Sequence, residues 1–348
     1  MPEADALLLL SFGGPEGPDD VMPFLRNVTH GRGIPDDRLA EVAEHYAHFH
    51  GVSPINAQNR ALIAALRKDF DANGLSLPIY WGNRNWKPFV ADAVRDMRQD
   101  SVRRALVIAT SATGSYSGCR QYREDLAQAR AMAGEGSPQL VKLRHYFDHP
   151  GFVTANADGL RAALERLPAA HRDSARLVFT AHSVPISMND SSGPAADGLY
   201  ERQHRETARL VAETVRGPGA AFDLVWQSRS GPPQVPWLEP DINDHLRALA
   251  ADGVAAVVIC PTGFVSDHLE VIWDLDTEAQ QTASELGLHF ARAATAGAHP
   301  AFVAALRALV EEELTGAAPQ SLGSLGLCGV NCPTACCPAP RRIARPGS

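Results

Sequence analysis

The chain has no apolar run long enough to cross a bilayer. Its longer ones, such as Leu7 to Leu10 and Val254 to Cys260, fall far short of the roughly 18 residues a span needs. It also lacks a basic excess. Asp and Glu number 40 against 32 Lys and Arg, a formal net charge of -8, and this excludes a general affinity for nucleic acid or anionic membrane. The N-terminal "MPEADALLLLSFGG" carries acids where a secretory signal would carry Lys or Arg, so it reads as the first strand of a cytoplasmic protein. The Gly-rich "SFGGPEGPDD" contains neither G-x-G-x-x-G nor Gly-Lys-[Ser/Thr], and Pro15 and Pro18 remove amides that a phosphate cradle would use. No G-x-S-x-G elbow is present either, so Ser183 beside His182 does not make a hydrolase. Cysteine is scarce in the body, where only Cys119 and Cys260 occur; Cys328, Cys332, Cys336 and Cys337 crowd into the tail.

What is present is the make-up of a well-packed globular protein, 45% apolar and 21% charged. A length of 348 residues favours two domains of roughly 150 residues each. Short apolar runs, "ALLLLSF", "SLPIYWG", "RALVIATS", "QLVKLRHY", "ARLVFTAHS", "FDLVWQS" and "VAAVVICP", alternate with helix-period segments. That order predicts an α/β fold of parallel sheets with helices on both faces. The halves also resemble each other. Trp81 and Trp226, 145 residues apart, each precede an Arg by three positions, with a second Trp and a Pro further on; Thr113-Gly114 and Thr262-Gly263, 149 apart, each end a strand. A duplicated unit accounts for both spacings and predicts a binding cleft between two similar domains. The expected divisions are 1–160, 161–295, a helix over 296–314 and a Cys-rich tail over 315–348, where Gly, Ala, Pro and Ser replace helical periodicity.

Two stretches could carry chemistry. In "SDHLEVIWDLDTE" a helix is expected to start from a cap at Ser266 or Asp267, placing Glu270, Asp274 and Glu278 on one face at i, i+4 and i+8. A solvated acidic stripe is the bland alternative. Like charges at this spacing destabilise a helix, and Val271, Ile272, Trp273 and Leu275 leave few positions facing water, so the line suits guidance of a hard divalent cation. In "LVFTAHSVP" a strand ends at His182, where an α/β fold puts its working groups and where an imidazole can accept a proton or bind metal. A hydrogen-bonded core histidine is the alternative there.

Five motifs, "LLSFGGPEGPDDVMPFLRNV", "HYAHFHGVSPI", "FTAHSVP", "VWQSRSGPPQVPWLEPD" and "GFVSDHLEVIWDLD", resemble in order and spacing those of the ferrochelatase family, from about residue 5 to 313. The resemblance implies insertion of Fe2+ into a porphyrin by a monomer of two similar Rossmann-like domains, with the active-site cleft between them. His182 matches the family's active-site histidine and Glu270 its partner carboxylate; which accepts protons and which delivers metal stays open. Asp274 and Glu278 match an acidic line regarded as the ion route. The chain is most similar to bacterial coproporphyrin III ferrochelatases, and Arg32, His45, Tyr46, Ser53 and Tyr122 fall where such enzymes bind propionates. Two departures are visible: Phe12 stands where some relatives have a Tyr beneath the metal centre, and His45 where an Arg is common.

The tail cysteines Cys328, Cys332, Cys336 and Cys337 resemble the segment that holds a [2Fe–2S] cluster in some ferrochelatases. By count alone they suit zinc equally, or no ligand at all. Some relatives take one ligand from mid-chain, which leaves Cys119 and Cys260 in reserve, although Cys260 reads as a strand-core thiol. The competing functions are insertion of Fe2+ into protoporphyrin IX, insertion of Co2+ or Ni2+ into a related tetrapyrrole, a non-catalytic porphyrin or haem carrier, and an iron–sulfur electron-transfer or sensing protein.

Overall fold

The computed structural model describes residues 4–31, 33–231, 234–330 and 332–340. Among the described residues eight strands form two four-stranded parallel sheets. The first contains β1 (Ala6–Ser11), β2 (Ile79–Asn83), β3 (Arg104–Ala109) and β4 (Gln139–Lys142) in the order β2-β1-β3-β4. The second contains β5 (Arg176–His182), β6 (Asp223–Gln227), β7 (Ala256–Cys260) and β8 (His289–Arg292) in the order β6-β5-β7-β8. The same order in both halves agrees with the inferred duplication. Trp81 lies on β2 and Trp226 on β6, the corresponding strands. Every residue of β1, β3 and β7 is buried, which explains their continuous apolar runs: with helices on both faces neither side of the strand meets water.

One strand escapes the sequence pattern. β8 reads His-Phe-Ala-Arg, a sheet edge too short and too polar for an apolar run to mark it. It aligns beside β7 by pairing Val257 with Phe290 and Val258 with Ala291.

The repeat extends to helices. His149-Pro150-x-Phe152 and His299-Pro300-x-Phe302 stand 150 residues apart and open the helices Pro150–Glu165 and Pro300–Thr315. In each, the cap histidine Nδ1 accepts from the backbone N–H two residues on, at 3.1 and 3.2 Å. The two helices meet near these ends, where Phe152 and Phe302 pack at 5.5 Å with Tyr146 against both. The helix Pro150–Glu165 sends Phe152 and Ala155 into the core of the first sheet and Val153, Ala157, Leu160 and Ala163 into that of the second. The helix Pro300–Thr315 returns to the first core through Phe302, Leu306, Leu309 and Val310. Ion pairs Arg307–Asp69 at 2.8 Å and Arg104–Glu313 at 2.5 Å fasten it there. Among the described residues no helix is long and apolar enough to cross a membrane.

In both sheets the chain leaves the first strand toward one side and returns on the other, so the switch points lie between β1 and β3 and between β5 and β7. Ligands of such sheets bind beyond the carboxyl ends at that point. His182 ends β5, and Glu270 follows β7 by ten residues.

The helix crossing tolerates no side chain at Gly151, since a Cβ there would lie 2.2 Å from the Ala301 carbonyl oxygen. Gly151→Ala should therefore destabilise the protein by about 1–3 kcal/mol, more than alanine's helix preference of about 1 kcal/mol can offset. Urea unfolding measures it; an unchanged midpoint would show that the helices separate freely.

Candidate active site

The end of β5 and the segment after β7 are locked together before any side chain reaches out. Gly263 lies so near Ala181 that a Cβ would sit 2.5 Å from its Cα, and its N–H donates to the Thr180 carbonyl at 3.0 Å. From this junction His182 and Glu270 approach each other, Nε2 to Oε2 at 3.8 Å. The other ring nitrogen of His182, Nδ1, lies 2.5 Å from the Ser183 carbonyl. A carbonyl accepts only, so Nδ1 carries the proton in the neutral ring and Nε2 presents its lone pair toward Glu270. A group that can take up a proton or a metal thus faces a carboxylate that is half exposed.

Glu270 has a second imidazole beside it. His268 Nδ1 is 4.0 Å from the same carboxylate oxygen, and the ring packs edge-on against Phe264 at 5.1 Å. Burial lowers the His268 pKa despite the nearby carboxylate, so the ring favours its neutral form. The motif reading passed over His268; its place two residues before Glu270 in "SDHLE" was the available signal.

The acidic line departs from the expected geometry. The helix begins at Leu269 with His268 as its cap, not at Ser266 or Asp267. Asp267 is diverted: its carboxylate pairs with Arg292 at 2.9 Å, and its N–H donates to Gln58 of the first half at 2.8 Å. After Trp273 the winding widens into a π-helical turn over Asp274–Ala279, so the i, i+4, i+8 register is not kept. Glu278 accepts from the Trp273 indole N–H at 2.9 Å. Asp274 turns inward and accepts from the Ser228 hydroxyl and from Gln227 Nε2 at 3.2 Å. Burial raises its pKa to about 7, and the charges of Glu270 and Glu278 push the same way. The three carboxyls thus remain electrostatic neighbours although the helix does not align them.

From the first half, Tyr46 and His45 reach this segment, whereas Phe12, Tyr122 and Ser53 make their contacts with first-half residues. Tyr46 is buried and packs on Phe24 at 6.0 Å; burial first, then the charge of Glu270, raises its phenol pKa. His45 stacks on Trp273 of the second half, 4.0 Å between nearly parallel rings. Phe12 follows β1, 36% exposed, with its ring 6.5 Å from Phe24. Tyr122 is buried beneath the Arg84 guanidinium, 4.5 Å from the ring centre. Ser53 is buried, and its N–H donates to the Pro15 carbonyl at 2.8 Å. Arg32 lies outside the described residues.

Comparison with known proteins fits this arrangement. A model of the ferrochelatase family matches residues 4–314. The chain belongs to the ferrochelatase family. The coproporphyrin III ferrochelatase of Nocardia farcinica is 59% identical, covering 99% of both chains. That of Streptomyces coelicolor is 57% identical, over 99% of this chain and 95% of its own. Among solved structures, SirB from Bacillus subtilis with Fe3+ aligns with a TM-score of 0.55 at 13% identity, over 90% of this chain and 97% of that one. The sirohydrochlorin chelatase SirB of Bacillus subtilis subspecies spizizenii, in complex with cobalt, aligns with a TM-score of 0.51 at 10% identity, with the same coverage. At such identity these two speak for the fold alone.

The family match ends at residue 314, before the tail, and the tail thiols line a depression that includes neither His182 nor Glu270. Cys119, Cys332, Cys336 and Cys337 line one depression with Arg120, Arg123 and Pro333. Cys336 and Cys337 sulfurs are 3.6 Å apart. Cys332 is held below the ordinary thiol range, first by a hydrogen bond from Cys328. The tail is pinned from the body: Arg123 donates to the Gly329 carbonyl at 2.6 Å and the Val330 carbonyl at 2.9 Å, and the His145 N–H donates to the Cys328 carbonyl at 2.8 Å. Cys260 stays apart on β7, fully buried, its pKa pushed up to about 12 by burial. Among the described residues no group of three or more His, Cys, Asp or Glu side chains is arranged to hold a metal ion.

The raised pKa of Asp274 makes a stability prediction with a definite sign. The folded value, about 7, exceeds the ordinary 3.8, so the stability tied to its protonated form is complete below pH 4 and is lost as pH rises through 7. Asp274→Asn cannot ionise. The variant should gain on the wild type between pH 5 and pH 8, by on the order of a few kcal/mol, in urea titrations at both values. A pH-independent difference would show that Asp274 is ionised throughout.

Proposed function

We propose that the chain inserts Fe2+ into coproporphyrin III to form Fe-coproporphyrin III, a lyase reaction of haem biosynthesis, with His182 and Glu270 as its reacting groups. The observation that carries this is His182 Nε2 facing Glu270 at 3.8 Å beyond the strand ends of a ferrochelatase-family fold. Metallation releases two pyrrole N–H protons as Fe2+ enters, and a planar ring keeps its nitrogen lone pairs in plane, so the protein must bend the ring and take protons away. An imidazole and a carboxyl group can share the proton and metal work. Asp274 and Glu278 lie next along the chain from Glu270 and would attract Fe2+ toward it. With a pKa of about 7, Asp274 would hold the ion loosely and hand it on.

The propionate reading rests on Tyr46, Ser53, Tyr122, Arg32 and His45, and on relatives whose own name is coproporphyrin III ferrochelatase. Propionates accept charge-assisted hydrogen bonds that vinyl groups cannot. Residues 1–160 would then form one wall of the cleft and 161–295 the other, in a cytoplasmic monomer.

The tail thiols suit a [2Fe–2S] cluster by donor type, since such clusters take four thiolates. Their surroundings suit it by charge: Arg123 and the buried Lys142 lie beside them and would compensate the cluster's negative charge. Cys328, Cys332, Cys336 and Cys337 would hold it, with Cys119 in the same depression as the alternative fourth ligand. The cluster would order the tail and take no part in metal insertion.

His182→Ala and Glu270→Ala should each bind porphyrin yet metallate it at less than a tenth of the wild-type rate, about 1.4 kcal/mol in barrier, followed by absorbance. Wild-type protein should prefer coproporphyrin III to protoporphyrin IX in kcat/KM; equal constants would favour the protoporphyrin reading. Cys332→Ser should remove iron–sulfur absorbance and lower stability while turnover persists. Comparing Cys119→Ser with Cys328→Ser identifies the fourth ligand, and stoichiometric zinc without iron–sulfur absorbance would eliminate the cluster.

A further inference from the structure

We infer that Tyr200 is a positioning residue for His182, an inference that rests on the reading of His182 as a reacting group. The peptide unit joining His182 to Ser183 is gripped from two sides. Its carbonyl accepts from the Tyr200 hydroxyl at 2.8 Å, and its N–H donates to the Gln227 carbonyl at 2.8 Å. The next carbonyl, that of Ser183, is the one that holds the His182 Nδ1 proton at 2.5 Å. Rotation of the gripped peptide plane would carry the Ser183 carbonyl with it and turn the imidazole away from Glu270. The Gln227 contact continues the β5–β6 ladder, and any residue there could make it. The Tyr200 contact depends on one hydroxyl.

Tyr200 itself is rigidly held. It is buried, stacks on Trp226 at 5.9 Å and packs edge-on against His204 at 4.5 Å. Its N–H donates to the Ser192 hydroxyl at 2.8 Å. The first half braces the same helix: Gln203 accepts from the Gly114 N–H at 2.7 Å, and His204 Nε2 lies 3.3 Å from the Thr113 hydroxyl. Burial raises the Tyr200 phenol pKa, so the hydroxyl stays a donor throughout the working range. The fold thus places a fixed donor from the helix Leu199–Arg216 behind the strand end that carries His182.

Tyr200→Phe removes the hydroxyl and keeps the ring. A matched control exists in the first half, where the buried Tyr146 hydroxyl donates to the Ala109 carbonyl at the end of β3, also at 2.8 Å. We expect Tyr200→Phe to lower kcat about tenfold with KM for coproporphyrin III unchanged, and Tyr146→Phe to leave kcat unchanged at a similar loss of thermal stability. Imidazole nitrogen NMR supplies a readout apart from rate: the His182 signals, assigned by their loss in His182→Ala, should move away from the Nδ1-protonated pattern in Tyr200→Phe. Wild-type kcat and unmoved His182 signals in Tyr200→Phe, with His182→Ala inactive, would overturn the inference alone. Equal losses of kcat in the Tyr200 and Tyr146 variants would overturn it in favour of general loosening. Full turnover in His182→Ala would remove the reading on which it rests. If Tyr200→Phe does not fold, Ser192→Ala, which frees the Tyr200 amide, is read by the same kcat against KM split, and wild-type kcat there overturns the inference.

Discussion

At the crossing of the helices Pro150–Glu165 and Pro300–Thr315, a glycine without a side chain lies against a backbone carbonyl. The contact permits no approach wider by a methyl group, so the two halves of the duplication meet at one distance. The helix Pro150–Glu165 belongs to both cores at once, and the helix Pro300–Thr315 returns from the second half to cover the first. A hinge between two independent domains would need few contacts across it. Here the crossing, the aromatic group around Phe152 and Phe302, and the pairs Arg307–Asp69 and Arg104–Glu313 make the halves one packed body.

The division of labour between the halves is unequal. His182, His268, Glu270 and Asp274 all stand on the second half, while from the first half His45 stacks on Trp273 and Tyr46 lies within the electrostatic reach of Glu270. Two switch points of like topology are present, and His182 and Glu270 gather at one of them. Asp274 there already has its pKa raised by burial and by two carboxylates, a repulsion that low dielectric magnifies. On the first half, Arg84 lies over the rings of Phe12 and Tyr122 and pairs with Asp125, so its charge is compensated locally.

How far these features could be read from the sequence depends on which interactions are local. β1, β3, β5 and β7 are buried on both faces, and that burial writes itself as unbroken apolar runs. β8 is an edge whose pairing is set by β7, so "HFAR" carries no signal of its own. His182 could be singled out because it ends a strand, a position topology makes informative, and Glu270 because it lies in the helix that follows β7. The cap expected at Ser266 or Asp267 falls instead at His268, and Arg292, 25 residues beyond Asp267, takes its carboxylate. The π-helical turn at Asp274 was invisible for a related reason: its inward side chain answers Gln227 and Ser228 on the end of β6. Spacing rules assume a uniform helix, and a partner distant in sequence can override them. The repeated His-Pro-x-Phe was legible in principle, since two identical caps 150 residues apart mark equivalent helices as clearly as the Trp and Thr-Gly pairs mark strands.

The tail illustrates a further limit, because its composition predicts no core and it nonetheless lies in fixed contact with the body. Arg144 donates to both carboxylate oxygens of Glu312, at 2.7 and 2.8 Å, and to the Gln320 carbonyl at 2.8 Å. Asp148 receives the Ser321 hydroxyl at 2.5 Å, and its own carbonyl accepts the Leu322 N–H at 3.0 Å. These anchors lead the chain to the thiols beside Lys142, whose pKa is lowered by burial, while Cys119, Cys328 and Cys332 pull it back up. A buried ammonium is costly unless negative charge lies close, and a buried thiolate needs a cation in turn. The body therefore places Arg123 and Lys142 where they would compensate a thiolate-bound group. Docking by backbone hydrogen bonds fixes where Cys328 to Val330 meet the body, and a bound group would draw the thiols together as well as change their charge.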